Sequence, residues 1–192
     1  MTTLYLLRHG QYETHNGILP YRLPRFHLSQ KGIIDVTTLA HKFSSRPIVA
    51  VYSSPLERTF ETAIILAKPL GLTPIIDDRL LEVRSPAQGE KEGFVESKGG
   101  WGIYETEWYK EHGGETLDEI VSRMNEVIEE IRGRHEGKEV IVVSHGDPIM
   151  LTAAYYQGIA LESSALGSIP YIPMAGGFQI DINDGKATIQ AL

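Results

Sequence analysis

Two periodicities divide this chain. Three unbroken apolar runs, Leu4-Tyr5-Leu6-Leu7, Ile48-Val49-Ala50-Val51-Tyr52 and Val140-Ile141-Val142-Val143, have no polar face and predict strands buried on both sides. Between them, apolar residues return every three or four positions. Ile33, Val36, Leu39, Ala40 and Phe43 predict a helix over 29–43. Leu117, Ile120, Val121, Met124, Val127, Ile128 and Ile131 predict the clearest amphipathic helix, opened by a Thr116/Glu119 capping box and ending near Gly133 and Gly137. Ser54-Pro55-Leu56-Glu57 predicts a further start, with Ser54 as N-cap, Pro55 at the first helical position and Glu57 closing a capping box. The buried stripe of that helix is then Leu56, Phe60, Ala63, Ile64 and Ala67. Arg58 falls opposite it, toward solvent or a ligand rather than in the core. Asp147-Pro148 predicts a start of the same kind.

The remaining segments are less regular. Residues 10–28 hold two Gly and two Pro and read as a loop over the end of the first strand. A turn over 69–73 and a brief strand over 74–76 precede Leu80-Leu81-Glu82. Residues 83–114 lose all periodicity, yet carry Phe94, Trp101, Tyr104, Trp108 and Tyr109, which predicts an ordered cap or lid. Two last strand-like runs, 177–182 and 187–192, are joined through Asn183-Asp184-Gly185, a hairpin signal. Strands alternating with helices, and no repeat or linker, predict one α/β domain over 1–192 with a single insertion at about 83–114.

Composition narrows the class. The chain has 192 residues, 42% of them hydrophobic and 22% charged, the mix of a folded globular domain. Its net charge of −7 gives no support to nucleic-acid binding, and no apolar stretch approaches the roughly 18 residues of a membrane span. There is no cysteine, so disulfide and thiolate chemistry are excluded. The amino terminus lacks the basic and long apolar regions of a secretion signal, which makes the cytoplasm the expected location. An acidic chain that binds an anion must build a local basic pocket, so clustered Arg and His carry weight.

Such a cluster is what the strands predict. Each of the three buried runs ends in phosphate-compatible chemistry: Arg8-His9-Gly10, then Ser53-Ser54-Pro55-Leu56-Glu57-Arg58, then Ser144-His145-Gly146-Asp147. If the runs are neighbouring parallel strands, these ends meet at one edge of the sheet, where open α/β folds bind ligands. Arg8 and Arg58 can offer planar forks that match phosphate oxygens. A neutral imidazole can attack phosphorus, and two nearby guanidinium groups keep it neutral. A backbone carbonyl of the loop is expected to hold its other nitrogen. A metal site from His9, His145 and Asp147 is disfavoured by the arginines, and no Gly-rich nucleotide loop is present, so no cofactor is expected.

Leu7-Arg8-His9-Gly10, Ser53-Ser54-Pro55 with Arg58-Thr59 and Glu61-Thr62-Ala63, Leu81-Glu82, Gly114-Glu115-Thr116 and Ser144-His145-Gly146 together resemble the histidine phosphatase superfamily, the phosphoglycerate mutase-like family, over nearly the whole chain. The resemblance implies a three-layer α/β/α fold with a mostly parallel central sheet. It implies His9 as the nucleophile that becomes phosphohistidine. Arg8, Arg58 and His145 would complete the phosphate pocket, with Gly146 beside them, and Glu82 would be the general acid and then base, with a raised pKa. Asn16 falls near the family's substrate-contacting asparagine, although Gln11-Tyr12-Glu13-Thr14-His15-Asn16 reads as though one residue had been added.

Charge separates the branches. Mutases of this type resemble longer chains whose insertion adds basic residues, whereas residues 85–113 hold Lys91, Lys98 and Lys110, no arginine, and six glutamates. That insertion would repel a small polyanion, which favours a metal-independent phosphatase acting on a small phosphomonoester with a neutral or partly apolar leaving group. The alternatives are a cofactor-dependent phosphoglycerate mutase, a phosphohistidine protein phosphatase and a non-catalytic phospho-ligand module. Neither a nucleic acid nor a membrane is an expected partner, and a homodimer is left open.

Overall fold

The computed structural model describes residues 1–14, 17–183 and 186–192. In chain order the elements are β1 (Thr2–Arg8), α1 (Gln30–Phe43), β2 (Ile48–Ser53), α2 (Glu57–Ala67), β3 (Ile75–Ile76), α3 (Phe94–Ser97), α4 (Glu107–Glu111), α5 (Leu117–Arg134), β4 (Glu139–Ser144), α6 (Gly146–Tyr156), α7 (Ser163–Leu166), β5 (Gly177–Asn183) and β6 (Lys186–Ala191). Short 3₁₀ turns at Lys68–Leu70, Asp78–Leu80 and Gly100–Glu105 punctuate them. The hairpin residues Asp184 and Gly185 lie outside the described residues.

One six-stranded sheet has the order β3-β2-β4-β1-β5-β6. The β3–β2, β2–β4 and β4–β1 pairs are parallel, and β5 and β6 add antiparallel pairs at one side. The layers follow from alternation along the strands. Leu4, Leu6, Tyr52, Val140 and Val142 point to a core shared with α5, α6 and residues 83–114. Tyr5, Leu7, Val51, Ile141 and Val143 point to the opposite core, against α1 and α2. Both faces being covered explains why these strands read as unbroken apolar runs. The fold is therefore the expected three-layer α/β/α arrangement. The register sets Arg8 beside Ser144 and Ser53 beside Val143, so β1, β2 and β4 all end at one edge.

Three local expectations are corrected. First, α2 begins at Glu57 with Leu56 as N-cap, and no side chain caps it. The Ser54 hydroxyl lies 2.9 Å from His145 Nε2, and the Glu57 carboxylate accepts instead from the Arg25 N–H at 3.0 Å. Second, the face α2 buries is Arg58, Thr59, Thr62, Ala63, Leu66 and Ala67, whereas Ile64 is 44% exposed. Arg58, placed outside the core by its spacing, is 1% exposed. These polar side chains face the strand ends, where their hydrogen bonds are used; Thr62 Oγ1 accepts from the Gly10 N–H at 3.0 Å. Third, α6 starts at Gly146 with His145 as N-cap, and the Asp147 carboxylate turns away to two tyrosine hydroxyls. The capping box of α5, by contrast, is formed in full by Thr116 and Glu119.

Residues 83–114 are ordered by aromatic contacts. Trp101 stacks on Tyr104 at 5.7 Å, Tyr104 meets Tyr109 at 4.9 Å, and Phe94 meets Trp108 at 5.6 Å. Ile103, Tyr104 and Tyr109 are buried in the α5 and α6 core. The lack of periodicity reflects helical pieces of four to six residues, too short to show a repeat.

Candidate active site

The loop after β1 is fixed by α1 and α2 packed beneath it. A Cβ on Gly32 would stand 1.9 Å from the Gln11 carbonyl oxygen, so only glycine lets α1 approach so closely. With Gly10 N–H held by Thr62, the His9 ring lies at a fixed height over the sheet edge. His9 Nδ1 is 2.8 Å from the Gly10 carbonyl, which can only accept, so Nδ1 carries the proton. Nε2 keeps its lone pair and accepts from Arg58 Nε at 3.2 Å. Burial, then Arg58 and Arg8, hold the His9 pKa well below the usual imidazole value, so the ring is neutral.

Arg58 links the cluster. Its Nη2 donates to the Tyr21 carbonyl at 2.7 Å and to His145 Nδ1 at 3.1 Å. Tyr21 stands in the left-handed region, with φ of 39°, to aim that carbonyl inward. His145 accepts at Nδ1, so its Nε2 proton points to Ser54 Oγ, and burial with Arg58 keeps this ring neutral too. The two imidazoles lie 5.3 Å apart, edge to face. Arg8 donates through Nη1 to the Ile172 carbonyl at 2.8 Å and lies over the Tyr171 ring. Arg8 Nε and Arg58 Nη1 are buried without a hydrogen-bond partner among the described residues. Buried unpaired donors of this kind each cost about 1–3 kcal/mol, a cost that an anion bound between them would remove.

Glu82 closes the cluster from the loop that follows the Asp78–Leu80 turn. One oxygen accepts from the Val83 N–H at 3.0 Å and the other lies 3.7 Å from His145 Nδ1. Burial first, and the Asp147 charge second, push its pKa up to about 7 against the pull of Arg58 and Arg8. Glu115 positions this segment. Its carboxylate accepts from Arg22, Arg123 and the Arg84 N–H, while Arg22 Nε donates to the Glu82 carbonyl at 2.6 Å. The Gly114-Glu115-Thr116 segment thus reaches the site through the Glu82 backbone.

Arg8, His9, Arg58 and Glu82 line one cavity of roughly 140 Å³, together with Tyr12, Tyr21, Asp147 and Tyr171. His145 lies behind Arg58, wholly buried. Gly146, expected in the phosphate pocket, is not among the lining residues; a Cβ on it would stand 2.0 Å from the Tyr171 hydroxyl, which covers it. Asn16 lies outside the described residues. The sequence reading missed Tyr12, Tyr21 and Tyr171. Tyr12, close after His9, was open to notice; Tyr171 comes from a segment without pattern and gave no signal. Asp147 was read as a helix cap, although its place two residues past His145 puts it at the same sheet edge. Among the described residues, no group of three or more His, Cys, Asp or Glu side chains converges as metal ligands, and no helix is long and apolar enough to cross a membrane.

A buried histidine pair, two guanidinium groups and a carboxyl of raised pKa form an arrangement suited to binding an oxyanion and attacking it. The likeness to known proteins extends over the whole chain. The family model for the histidine phosphatase superfamily (branch 1) matches residues 4–192. An uncharacterized protein of Mycobacterium tuberculosis strain H37Rv, Rv0525, is 31% identical, with 94% of each chain covered. Phosphoserine phosphatase 1 of Hydrogenobacter thermophilus is also 31% identical, over 84% of this chain and 79% of its own length. The solved structure of Bacillus stearothermophilus YhfR superposes with a TM-score of 0.84 at 25% identity, covering 100% of this chain and 96% of that one. The chain belongs to the histidine phosphatase superfamily and has its phosphoglycerate mutase-like fold.

Proposed function

We propose that this chain is a metal-independent phosphatase that hydrolyses small phosphomonoesters through a phosphohistidine on His9. The observation that carries this reading is the cavity in which the His9 Nε2 lone pair meets the two guanidinium groups with unpaired buried donors. The phosphoryl oxygens take up donors of Arg8 and Arg58, and Arg58 Nε turns from the ring to the substrate. Nε2 then attacks phosphorus, and the P–N bond forms as the ester P–O bond breaks. The leaving oxygen takes the proton of the Glu82 carboxyl. In the second step a water attacks phosphorus, Glu82 takes its proton, and the P–N bond breaks to give orthophosphate and free His9. A carboxyl with a pKa of about 7 can hold and release that proton at neutral pH. The Gly10 carbonyl accepts from Nδ1–H and stabilises the positive ring of the intermediate. His145 holds Arg58 in place and lends polarity from behind.

The relative named phosphoserine phosphatase supports water, rather than a second substrate, as the phosphoryl acceptor, and so does the acidic segment 85–113 that forms the lid of the site. The test is trapping with a ³²P-labelled monoester in the presence of EDTA. An acid-labile, base-stable phosphoenzyme is expected from the wild type and none from His9→Ala. Strict dependence on a divalent ion, or best turnover of 3-phosphoglycerate by transfer, would contradict the proposal.

A further inference from the structure

The phosphate cavity does not end at Asp147. It continues into a second space of roughly 370 Å³ that shares Arg8, Leu19, Tyr21, Asp147 and Tyr171 with it, and adds Val95, Glu96, Gly100, Trp101 and Tyr104. Four aromatic rings therefore border a hollow reached from the reacting centre, with Trp101 stacked on Tyr104 at 5.7 Å and inclined to Tyr171 at 6.2 Å. Two carboxylates complete its wall. Asp147 is half-buried and accepts one hydroxyl on each oxygen, from Tyr104 and Tyr171, both at 2.5 Å. Neutral hydroxyls orient a carboxylate but leave its charge, and Asp147 has no ion-pair partner among the described residues. Glu96 stands at the exposed rim. Apart from Arg8, which faces the phosphate end, no cationic side chain among the described residues lines this space.

The cleft is thus polarised, positive where phosphate sits and negative with aromatic faces where the leaving group must lie. Resting on the phosphatase reading above, we propose that the substrates are phosphate esters of amino alcohols, whose ammonium group lies among Tyr21, Trp101, Tyr104 and Tyr171 and against Asp147. A cation over aromatic faces and beside a carboxylate gains on both counts, and quaternary ammonium groups suit such cages best. A polyanion would meet Asp147 and Glu96, and an amino-acid ester would bring a carboxylate to a wall that has no cation for it. A cationic leaving group here replaces the neutral or partly apolar one expected from the acidic insertion, because Asp147 faces this space.

The experiment compares kcat/KM for phosphocholine with that for its uncharged isostere 3,3-dimethylbutyl phosphate, in the wild type, in Asp147→Asn and in Trp101→Leu. Partial unfolding cancels in each ratio on one protein, and intrinsic leaving-group reactivity cancels when a variant's ratio is compared with that of the wild type. The phosphocholine preference should fall about tenfold in each variant, the scale of one desolvated cation–π or charge contact. Phosphoethanolamine should also exceed phosphoserine in the wild type. A ratio unchanged in both variants, or phosphoserine as the better ester, overturns the amino-alcohol assignment while leaving the phosphatase reading intact. No turnover of any of these esters, nor of p-nitrophenyl phosphate, overturns both.

Discussion

Arg58 shows how a single residue can be central and hard to read. Its place on a helical wheel sends it away from the core, to solvent or a ligand, yet it is buried and bonds His9, His145 and the Tyr21 carbonyl at once. Loss of that fork should cost about 3–4 kcal/mol of transition-state stabilisation, a fall of 10²–10³ in kcat/KM for Arg58→Ala. Arg58→Lys should not recover it, because an ammonium cannot span three acceptors in one plane; steady-state kinetics on a monoester panel checks both. For Glu82 the family resemblance implied a raised pKa, and the structure supplies its cause, burial first and the Asp147 charge second. Because Asp147 raises the Glu82 pKa, Asp147→Asn should lower it, and the alkaline limb of the kcat/KM profile, near pH 7 in the wild type, should move to lower pH. A limb that stays in place, or moves up, would separate Asp147 from Glu82. Tyr21 and Tyr171 were illegible, and so was the bond of Ser54 to His145, for a common reason: the partners come from strands and loops far away in the chain.

At the scale of elements, the strands were the most readable parts, since burial on both faces leaves an unbroken apolar run. The α5 capping box was readable because Thr116 and Glu119 serve only their own helix. The Ser54-Pro55 signal misled because its hydroxyl was already committed to His145, and a local motif cannot reveal a distant claim on its side chain. The α1–loop junction was equally hidden, resting on the missing side chain of Gly32. Gly32→Ala would force the Gln11 carbonyl, and His9 with it, out of position. Displacements near 1 Å at a reacting group cost up to about 10² in rate, so kcat/KM should drop by that order. Circular dichroism of the variant should still report an α/β protein, with a lowered thermal midpoint.

For the whole molecule, the buried groups of the site contribute to how stability depends on pH. His9 and His145 titrate near 6.5 when unfolded and well below it when folded. The unfolded chain therefore binds more protons below about pH 6.5, and stability falls as pH drops from there. Glu82 opposes this: its folded pKa of about 7 against 4.5 unfolded makes its contribution fall as pH rises across that window. Two protons outweigh one, so the thermal midpoint should decline between pH 6.5 and 5, and Glu82→Gln should steepen the decline. A flat midpoint in calorimetry would contradict the buried neutral pair.

The strand order carries one more consequence. Tyr5 pairs with Ile141, and Val51 pairs with the same residue from the other side, so β4 is the wedge that brings β1 and β2 together. During synthesis the first two strands leave the ribosome long before that wedge does, and no pocket can assemble in the interval. Assembly of the pocket is thereby postponed until β4 has emerged, and a nascent chain truncated before β4 would leave the ends of β1 and β2 without the strand that joins them.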